Sequence, residues 1–147
     1  MKLFRKILNG SLVVLNIFLA LTAFAGGVGL LAGLNTPPVE QLNGSIFKDF
    51  TIPGLALFVL VGGGGLLAAI LLIRKSKFSI LFSIAAGMII MFFEFVEVQA
   101  IGAPAGVAQT LQIFYYGLGT LIVCVSMGLW FIDLLTDPNQ KNKAISI

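Results

Sequence analysis

The chain has 147 residues, of which 59% are hydrophobic and only 10% are charged, and its mean hydropathy is +1.07. A soluble domain of this size normally carries about 25% charged residues. The polar surface is therefore too small to cover a water-soluble globule, and we expect the chain to fold in a lipid bilayer. The net charge of +3 then reflects orientation in the membrane rather than binding to nucleic acid.

The residue types that most often carry chemistry are scarce. The sequence contains no histidine, which is the commonest metal ligand and proton carrier, and its one cysteine is Cys124. A single cysteine forms no disulfide within the chain, and no cluster of residues has the spacing of a metal site. We expect no cofactor, no metal site and no enzymatic activity.

The first apolar run covers residues 7–31 and follows the basic segment Met-Lys-Leu-Phe-Arg-Lys. A basic start, an apolar core and an Ala-Phe-Ala sequence before a glycine are typical of a cleaved signal peptide. The run is longer than the core of such peptides, however, and it has a face of small and polar residues suited to helix packing: Asn16, Ala20, Ala23 and Gly27. We favour a retained transmembrane helix, and cleavage is the alternative.

The second run, residues 52–73, is uncharged and contains a row of glycines: Gly62, Gly63, Gly64 and Gly65. A helix over this stretch is long enough to cross a hydrocarbon core of ~30 Å at ~1.5 Å per residue. Glycines are poor helix formers in water, but in lipid the backbone must satisfy its own hydrogen bonds, so the helix persists. The glycines then form a notch at mid-membrane, and we expect the first and fourth helices to pack into it.

Two further runs, residues 78–98 and 112–135, complete four predicted spans, and the sequence Asp-Pro-Asn at residues 137–139 is predicted to end the fourth. A short basic loop, residues 74–77, joins the second and third helices into an antiparallel hairpin. The longest polar segment, residues 33–51, connects the first and second helices. The sequence thus predicts an all-α transmembrane four-helix bundle that forms a single membrane domain over residues 1–147.

The basic residues are distributed unevenly between the two sides of this bundle. With four spans, all of them except Lys48 fall on the side that holds both termini: Lys2, Arg5, Lys6, Arg74, Lys75, Lys77, Lys141 and Lys143. The positive-inside rule therefore predicts that both termini are cytoplasmic and that the chain is a multi-pass protein of the plasma membrane. Residues 33–51 then form an outer loop, which we expect to fold as a cap in contact with the outer end of the third helix.

The most informative polar cluster lies near the outer end of the third helix. Glu94 and Glu97 are three positions apart and share one helix face, which continues inward through Gly87, a helix-packing candidate. A carboxylate inside a bilayer is costly, so we expect Glu94 to be protonated or paired, with Lys48 as its natural partner. The candidate outer polar site consists of Glu94, Glu97, Lys48, Asp49 and Gln99. We favour a satisfied structural pair as the interpretation of the two carboxyl groups, and an outward-facing functional site is the alternative.

The fourth predicted helix also carries a face of small and polar residues: Tyr116, Thr120, Cys124 and Gly128. Small residues let two helix backbones approach closely in a membrane. We therefore expect this face to pack against another helix, with Cys124 as inert filling.

The segment from Ser45 to Gly54, with the sequence Ser-Ile-Phe-Lys-Asp-Phe-Thr-Ile-Pro-Gly, leads from the outer loop into the second helix. It resembles a motif in a family of small four-span bacterial integral membrane proteins whose function is uncharacterised. The resemblance extends loosely over residues 33–119. It implies an integral inner-membrane protein of bacterial type and no particular reaction.

These observations leave three functions open. The first is a non-enzymatic accessory or structural membrane component, whose partners are the lipid bilayer and another membrane protein or a second copy of the chain. The second is a small proton- or cation-coupled transporter that uses Glu94 and Glu97. The third is a lipid-binding or lipid-modifying membrane protein. We favour the first, because the sequence shows no catalytic constellation.

Overall fold

The computed structural model describes residues 2–34, 36–103 and 105–136. Four long helices make up most of this part of the chain: α1 (Lys2–Leu31), α2 (Thr51–Ile73), α3 (Ser79–Ile101) and α4 (Val107–Thr136). Each is long and apolar enough to cross a membrane, and the described residues contain no β-strand. The prediction of an all-α fold with four candidate spans is confirmed. The predicted end of the fourth helix at residues 137–139, with Lys141 and Lys143, lies outside the described residues.

Two helices begin about five residues before the apolar runs from which they were predicted, and the third continues to Ile101 instead of ending at residue 98. α1 begins at Lys2 rather than at residue 7, because lysine and arginine form helix nearly as well as apolar residues do. α4 begins at Val107 rather than near residue 112, directly after Gly106, whose φ of +118° suits only glycine. The connector between α3 and α4 is therefore short and holds their facing ends together.

We call the end of the bundle that holds Leu31, Thr51, Ile101 and Val107 the outer end, following the predicted orientation, and the opposite end the inner end. Each helix contacts the next one in chain order, and α1 also contacts α4, so the four helices form a closed ring. In the described residues α2 makes no contact with α4, which places these two helices diagonally opposite each other.

The glycine notch of α2 packs against α1. A Cβ added at Gly65 would lie 3.1 Å from the carbonyl oxygen of Asn16, and one at Gly62 would lie 2.7 Å from the ring of Phe24. Gly63, by contrast, has nothing within 4 Å. The expected packing with the first helix is confirmed. The expectation that the fourth helix enters the notch is wrong, because α3 and not α4 follows α2 around the ring.

The small face predicted on α1 is buried as expected, with Ala20, Ala23 and Gly27 all in contact with the bundle. A Cβ at Gly27 would lie 2.7 Å from the Cβ of Phe58. Phe58 belongs to the stretch Ala56–Gly62, over which α2 is π-helical. A π-helical turn is wider than an α-helical one and is often found at functional sites. α1 therefore makes its closest approach to α2 at this wide turn.

A second close crossing joins α3 to α4. A Cβ at Gly119 would lie 2.7 Å from the carbonyl oxygen of Gly87, and one at Gly87 would lie 2.8 Å from the carbonyl oxygen of Gly119. The two glycines thus face each other directly. Because lipid offers no hydrophobic driving force between helices, such close backbone packing is a main source of their association.

The small and polar face predicted for packing on α4 points away from the bundle instead. Tyr116, Thr120 and Cys124 are exposed, and Gly128 has nothing within 4 Å. The packing prediction for this face is wrong. The face that α4 buries consists of Gln112, Leu118, Gly119, Ile122, Ser126 and Leu129. Both faces contain small residues, and the one that packs places Gly119 against Gly87 and Ser126 against Ser83 of α3.

A polar network links three helices at mid-bundle. Asn16 Nδ2 donates a hydrogen bond to Ser83 Oγ at 2.9 Å, as the inward position of Asn16 on α1 predicts, and also to the carbonyl oxygen of Leu12. Ser126 Oγ donates to the same Ser83 oxygen at 2.9 Å. All three polar side chains are fully buried. Ser83 of α3 therefore holds α1 and α4 in register.

Replacing Gly119 by alanine tests the α3–α4 crossing. The added methyl group has no room beside Gly87, so we expect Gly119→Ala to lower the free energy of unfolding by about 1–3 kcal/mol, the usual cost of overpacking. Gly117→Ala is the matched control on the same helix, because Gly117 has nothing within 4 Å. Unfolding by SDS titration in micelles measures both. Equal stability of the two variants would contradict the crossing.

Replacing Ser83 by alanine tests the polar network. Asn16 and Ser126 then lose a shared acceptor, and we expect a loss of about 1–2 kcal/mol in the same unfolding measurement. A double-mutant cycle with Asn16→Ala should give a coupling energy near 0.6 kcal/mol, typical of hydrogen bonds between membrane helices. Ser11→Ala, which changes an exposed serine of α1, is the control. A Ser83 variant as stable as this control would rule the network out as a stabilising element.

Candidate functional site

A cavity of about 620 Å³ lies between the outer halves of α1 and α4, with α3 as a third wall. We call it the outer cleft and define it by these side chains: Thr22, Leu30, Phe93, Glu94, Leu111 and Tyr115. Its walls are mainly apolar, with few polar groups. Small-molecule sites in proteins are typically cavities of about 300–1,000 Å³ with this kind of lining.

Glu94 is the distinctive residue of the outer cleft. The side chain lines the cavity, and the residue is only 5% exposed. Within residues 2–34, 36–103 and 105–136, its carboxyl group has no hydrogen bond and no ion pair. An isolated carboxylate in a low-dielectric setting is costly unless a proton, a donor or a cation accompanies it. The outer cleft therefore contains a polar group whose partner the described residues do not supply.

Glu97 lies one turn further out on the same face of α3 and also lines the outer cleft. Its Oε1 accepts a hydrogen bond from Gln112 Nε2 at 3.2 Å. Gln112 Nε2 also donates to the carbonyl oxygen of Gly102 at 3.1 Å. Gln112 is thus a clasp that fixes the start of α4 to the end of α3. The apolar pattern predicts Gln112 only as the start of a span, and an amide at the edge of an apolar run is the one sequence signal for this contact.

The other three residues of the predicted outer site do not join the two glutamates. Lys48 and Gln99 are exposed, and Lys48 makes no ion pair with the described residues. The prediction that Lys48 pairs with Glu94 is wrong. Phe50 beside it is buried and anchors this part of the loop, which leaves Lys48 facing outward.

Asp49 does not line the cleft and instead contacts the start of α2. Its Oδ1 accepts a hydrogen bond from the backbone N–H of Thr51 at 2.9 Å. This bond favours the ionised form and lowers the pKa of the Asp49 carboxyl below its usual range. Asp49 is thus a local turn residue that lies two positions before the helix and accepts a hydrogen bond from its first N–H group.

A second cavity, of about 200 Å³, lies beneath the outer loop between α2 and α3. We call it the apolar chamber and define it by Phe47, Phe50, Ala56, Val61, Phe92 and Ala100. Glu97 is the one charged residue in its lining. The loop covers the chamber with Leu42 and Phe50, both buried, so the expectation that it forms a cap in contact with the outer end of the third helix is confirmed.

The inner half of the bundle is closed. Inward of Thr22 the bundle is filled by buried side chains of α1 and α4: Leu12, Leu19, Ile122 and Leu129. At the inner end Arg5 forms a two-point ion pair with Asp133, with Nη2 3.0 Å from Oδ2. We call the interface between α1 and α4 the α1–α4 seam. It is thus open only in its outer half, where the outer cleft lies.

Comparisons with protein-family models, with curated proteins and with solved structures find no match to this chain. Within the described residues, no group of three or more histidine, cysteine, aspartate or glutamate side chains has the arrangement of a metal site. The outer cleft, with its two carboxyl groups and aromatic walls, is therefore the candidate site on which a function can be based.

Proposed function

We propose that the protein is a non-enzymatic, multi-pass membrane protein that binds a positively charged group in the outer cleft. The supporting observation is Glu94, a buried residue whose carboxyl group lines a ligand-sized cavity and has no partner among the described residues. Glu97 places a second carboxyl group in the same cavity. Two neighbouring carboxylates repel each other unless a proton or a cation lies between them, so a cationic ligand fits this cleft.

The walls of the cleft favour an ammonium group. Phe93 and Tyr115 both line the cavity, and aromatic rings attract cations to their faces. Calcium and magnesium ions, by contrast, take about six or more oxygen ligands. Glu94 and Glu97 supply four carboxyl oxygens at most, and one of these already accepts a hydrogen bond from Gln112. An organic ammonium ion needs only one or two carboxylates and an aromatic contact.

Binding fits this geometry better than transport does. A carrier exposes its site to both sides of the membrane in turn, whereas the inner half of this bundle is filled by buried leucine and isoleucine side chains and ends at the Arg5–Asp133 pair. An accessory role, in which the protein holds a ligand for another membrane protein or a second copy of itself, agrees with this closed inner half.

We further propose that the protein lies in a bacterial inner membrane with both termini in the cytoplasm and the outer cleft facing outward. The basic residues Arg5, Arg74 and Lys75 lie at the inner end of the bundle, as the positive-inside rule requires. The likeness of the segment Ser45 to Gly54 to small bacterial four-span proteins agrees with this location.

Cysteine labelling tests this orientation. In a Cys124→Ser background, we expect Asn43→Cys in the outer loop to react with a membrane-impermeant maleimide on intact cells. Lys75→Cys in the α2–α3 turn should react only after the membrane is opened. Both positions are exposed, so a difference in labelling reports the side of the membrane. Labelling of the second variant alone on intact cells would invert the topology.

Ligand titration tests the cleft. With n-butylammonium as the probe, saturation-transfer NMR on protein in nanodiscs should detect binding, and Glu94→Gln should weaken it at least tenfold. A hydrogen bond to a charged group contributes about 1.5–3 kcal/mol, which corresponds to a factor of about ten or more. Glu40→Gln is the matched control, because Glu40 is an exposed acid of the outer loop that lines neither cavity.

Neutral 1-butanol separates charge recognition from simple partitioning into lipid. We expect it to give the same weak signal with the wild type, Glu94→Gln and Glu40→Gln. Equal binding of butylammonium by the wild type and Glu94→Gln would show that Glu94 is protonated or otherwise satisfied, and would exclude a cation site there.

A further inference from the structure

We propose that the ligand of the outer cleft is an alkylammonium or arylammonium ion whose apolar part occupies the apolar chamber beneath the outer loop. The proposal rests on the proposed function and adds the class of ligand. It joins two cavities that the helices place side by side, one with the carboxyl groups and one almost wholly apolar.

The two cavities share a wall. Five residues line both of them: Leu30, Pro37, Phe93, Glu97 and Ile101. All five are only partly buried, so their side chains are not locked into a filled core. Glu97 borders each cavity, and Glu94 lies one turn deeper in the cleft alone. An ammonium group at the two carboxyl groups would therefore sit next to the chamber, and an apolar substituent on it would point along the shared wall.

The chamber has the chemistry and size for such a substituent. Apart from Glu97, its lining consists of leucine, isoleucine, valine, alanine, proline and phenylalanine side chains. An apolar cavity of about 150 Å³ stays dry and takes up a benzene molecule. The chamber, at about 200 Å³, has room for an apolar group of about six carbons or slightly more.

The charge of Glu97 decides which amphiphile belongs here. A fatty acid or an anionic lipid would bring a second negative charge next to a carboxyl group in a poorly solvated site, which is unfavourable. An amine brings the opposite charge and removes apolar surface from water at the same time. The wide π-helical turn of α2 contributes Ala56, Leu60 and Val61 to the chamber, so the irregular part of the helix forms the wall that faces the apolar group.

A homologous series of amines tests the proposal. We use n-alkylammonium ions from ethyl to octyl on protein in nanodiscs and take Glu94→Gln nanodiscs as the background for partitioning into lipid. Burial of each methylene group should raise the Glu94-dependent affinity about fourfold, since about 0.8 kcal/mol is gained per group. The rise should stop at about six carbons, where the chamber is full.

A larger side chain in the chamber should lower the chain length at which the affinity stops rising. Ala56 lines the chamber and not the cleft, and Ala56→Leu adds three carbons to that space. We expect the affinity to stop rising at about three carbons, while ethylammonium binds as in the wild type. Ala100→Leu, on the opposite wall in α3, provides a second test if Ala56→Leu fails to fold. Ala105→Leu is the control, because Ala105 is exposed and lines neither cavity.

The outcomes separate the two proposals. If ethylammonium and butylammonium bind through Glu94 but affinity does not depend on chain length, the cation site stands and the role of the chamber is overturned. The same holds if Ala56→Leu and Ala100→Leu both leave the chain-length limit unchanged. If no amine shows Glu94-dependent binding, both proposals fail. If 1-alkanols show the same chain-length limit as the amines, the chamber accepts any apolar chain and the charge plays no part.

Discussion

The close approach of helix backbones at glycine positions is the constraint on which the rest of the structure depends. In lipid, apolar side chains gain nothing by leaving the solvent, so helices associate where their backbones pack closely. Such contacts occur at two interfaces: Gly27 against Phe58 and Gly65 against Asn16 between α1 and α2, and Gly87 against Gly119 between α3 and α4. These contacts form two tight helix pairs. The α1–α4 seam between the pairs has no glycine contact of this kind in the described residues, and its outer half remains open as a cleft.

Polar residues on one face of α3 show how a structural group differs from a functional one. Ser83 lies deep in the bundle, and its oxygen accepts hydrogen bonds from Asn16 and Ser126. Glu94 lies three turns further out and has no such partner among the described residues, although it is almost as deeply buried. The burial of Ser83 is explained by its hydrogen bonds, which hold α1 and α4 in register with α3. The unpaired carboxyl group of Glu94 would only destabilise the fold unless something else, a proton or a ligand, occupies the cleft beside it.

The sequence predicted what depends on hydropathy and on spacing within one helix. It predicted four apolar helices, the buried face of α1 and the shared face of Gly87, Glu94 and Glu97, because each follows from the period of a single helix. What depends on the partner helix could not be predicted in this way. Cys124 and Ser126 are both small and lie on the same helix, and Ser126 is buried because it faces Ser83 across the interface. The π-helical turn of α2 and the outward position of Lys48 likewise depend on tertiary packing.

The α1–α4 seam is also the interface at which the ring of four helices would open with the smallest loss of contacts. It is the least extensive of the four contacts around the ring, and the Arg5–Asp133 pair that closes its inner end is partly exposed. Exposed ion pairs contribute about 0–1 kcal/mol, so this pair orients the helices more than it binds them. The tight α1–α2 and α3–α4 pairs would move as units if the seam widened. A ligand with an apolar part that is already dissolved in the outer leaflet would therefore reach the two carboxyl groups sideways through the seam, without displacing the outer loop that covers the chamber.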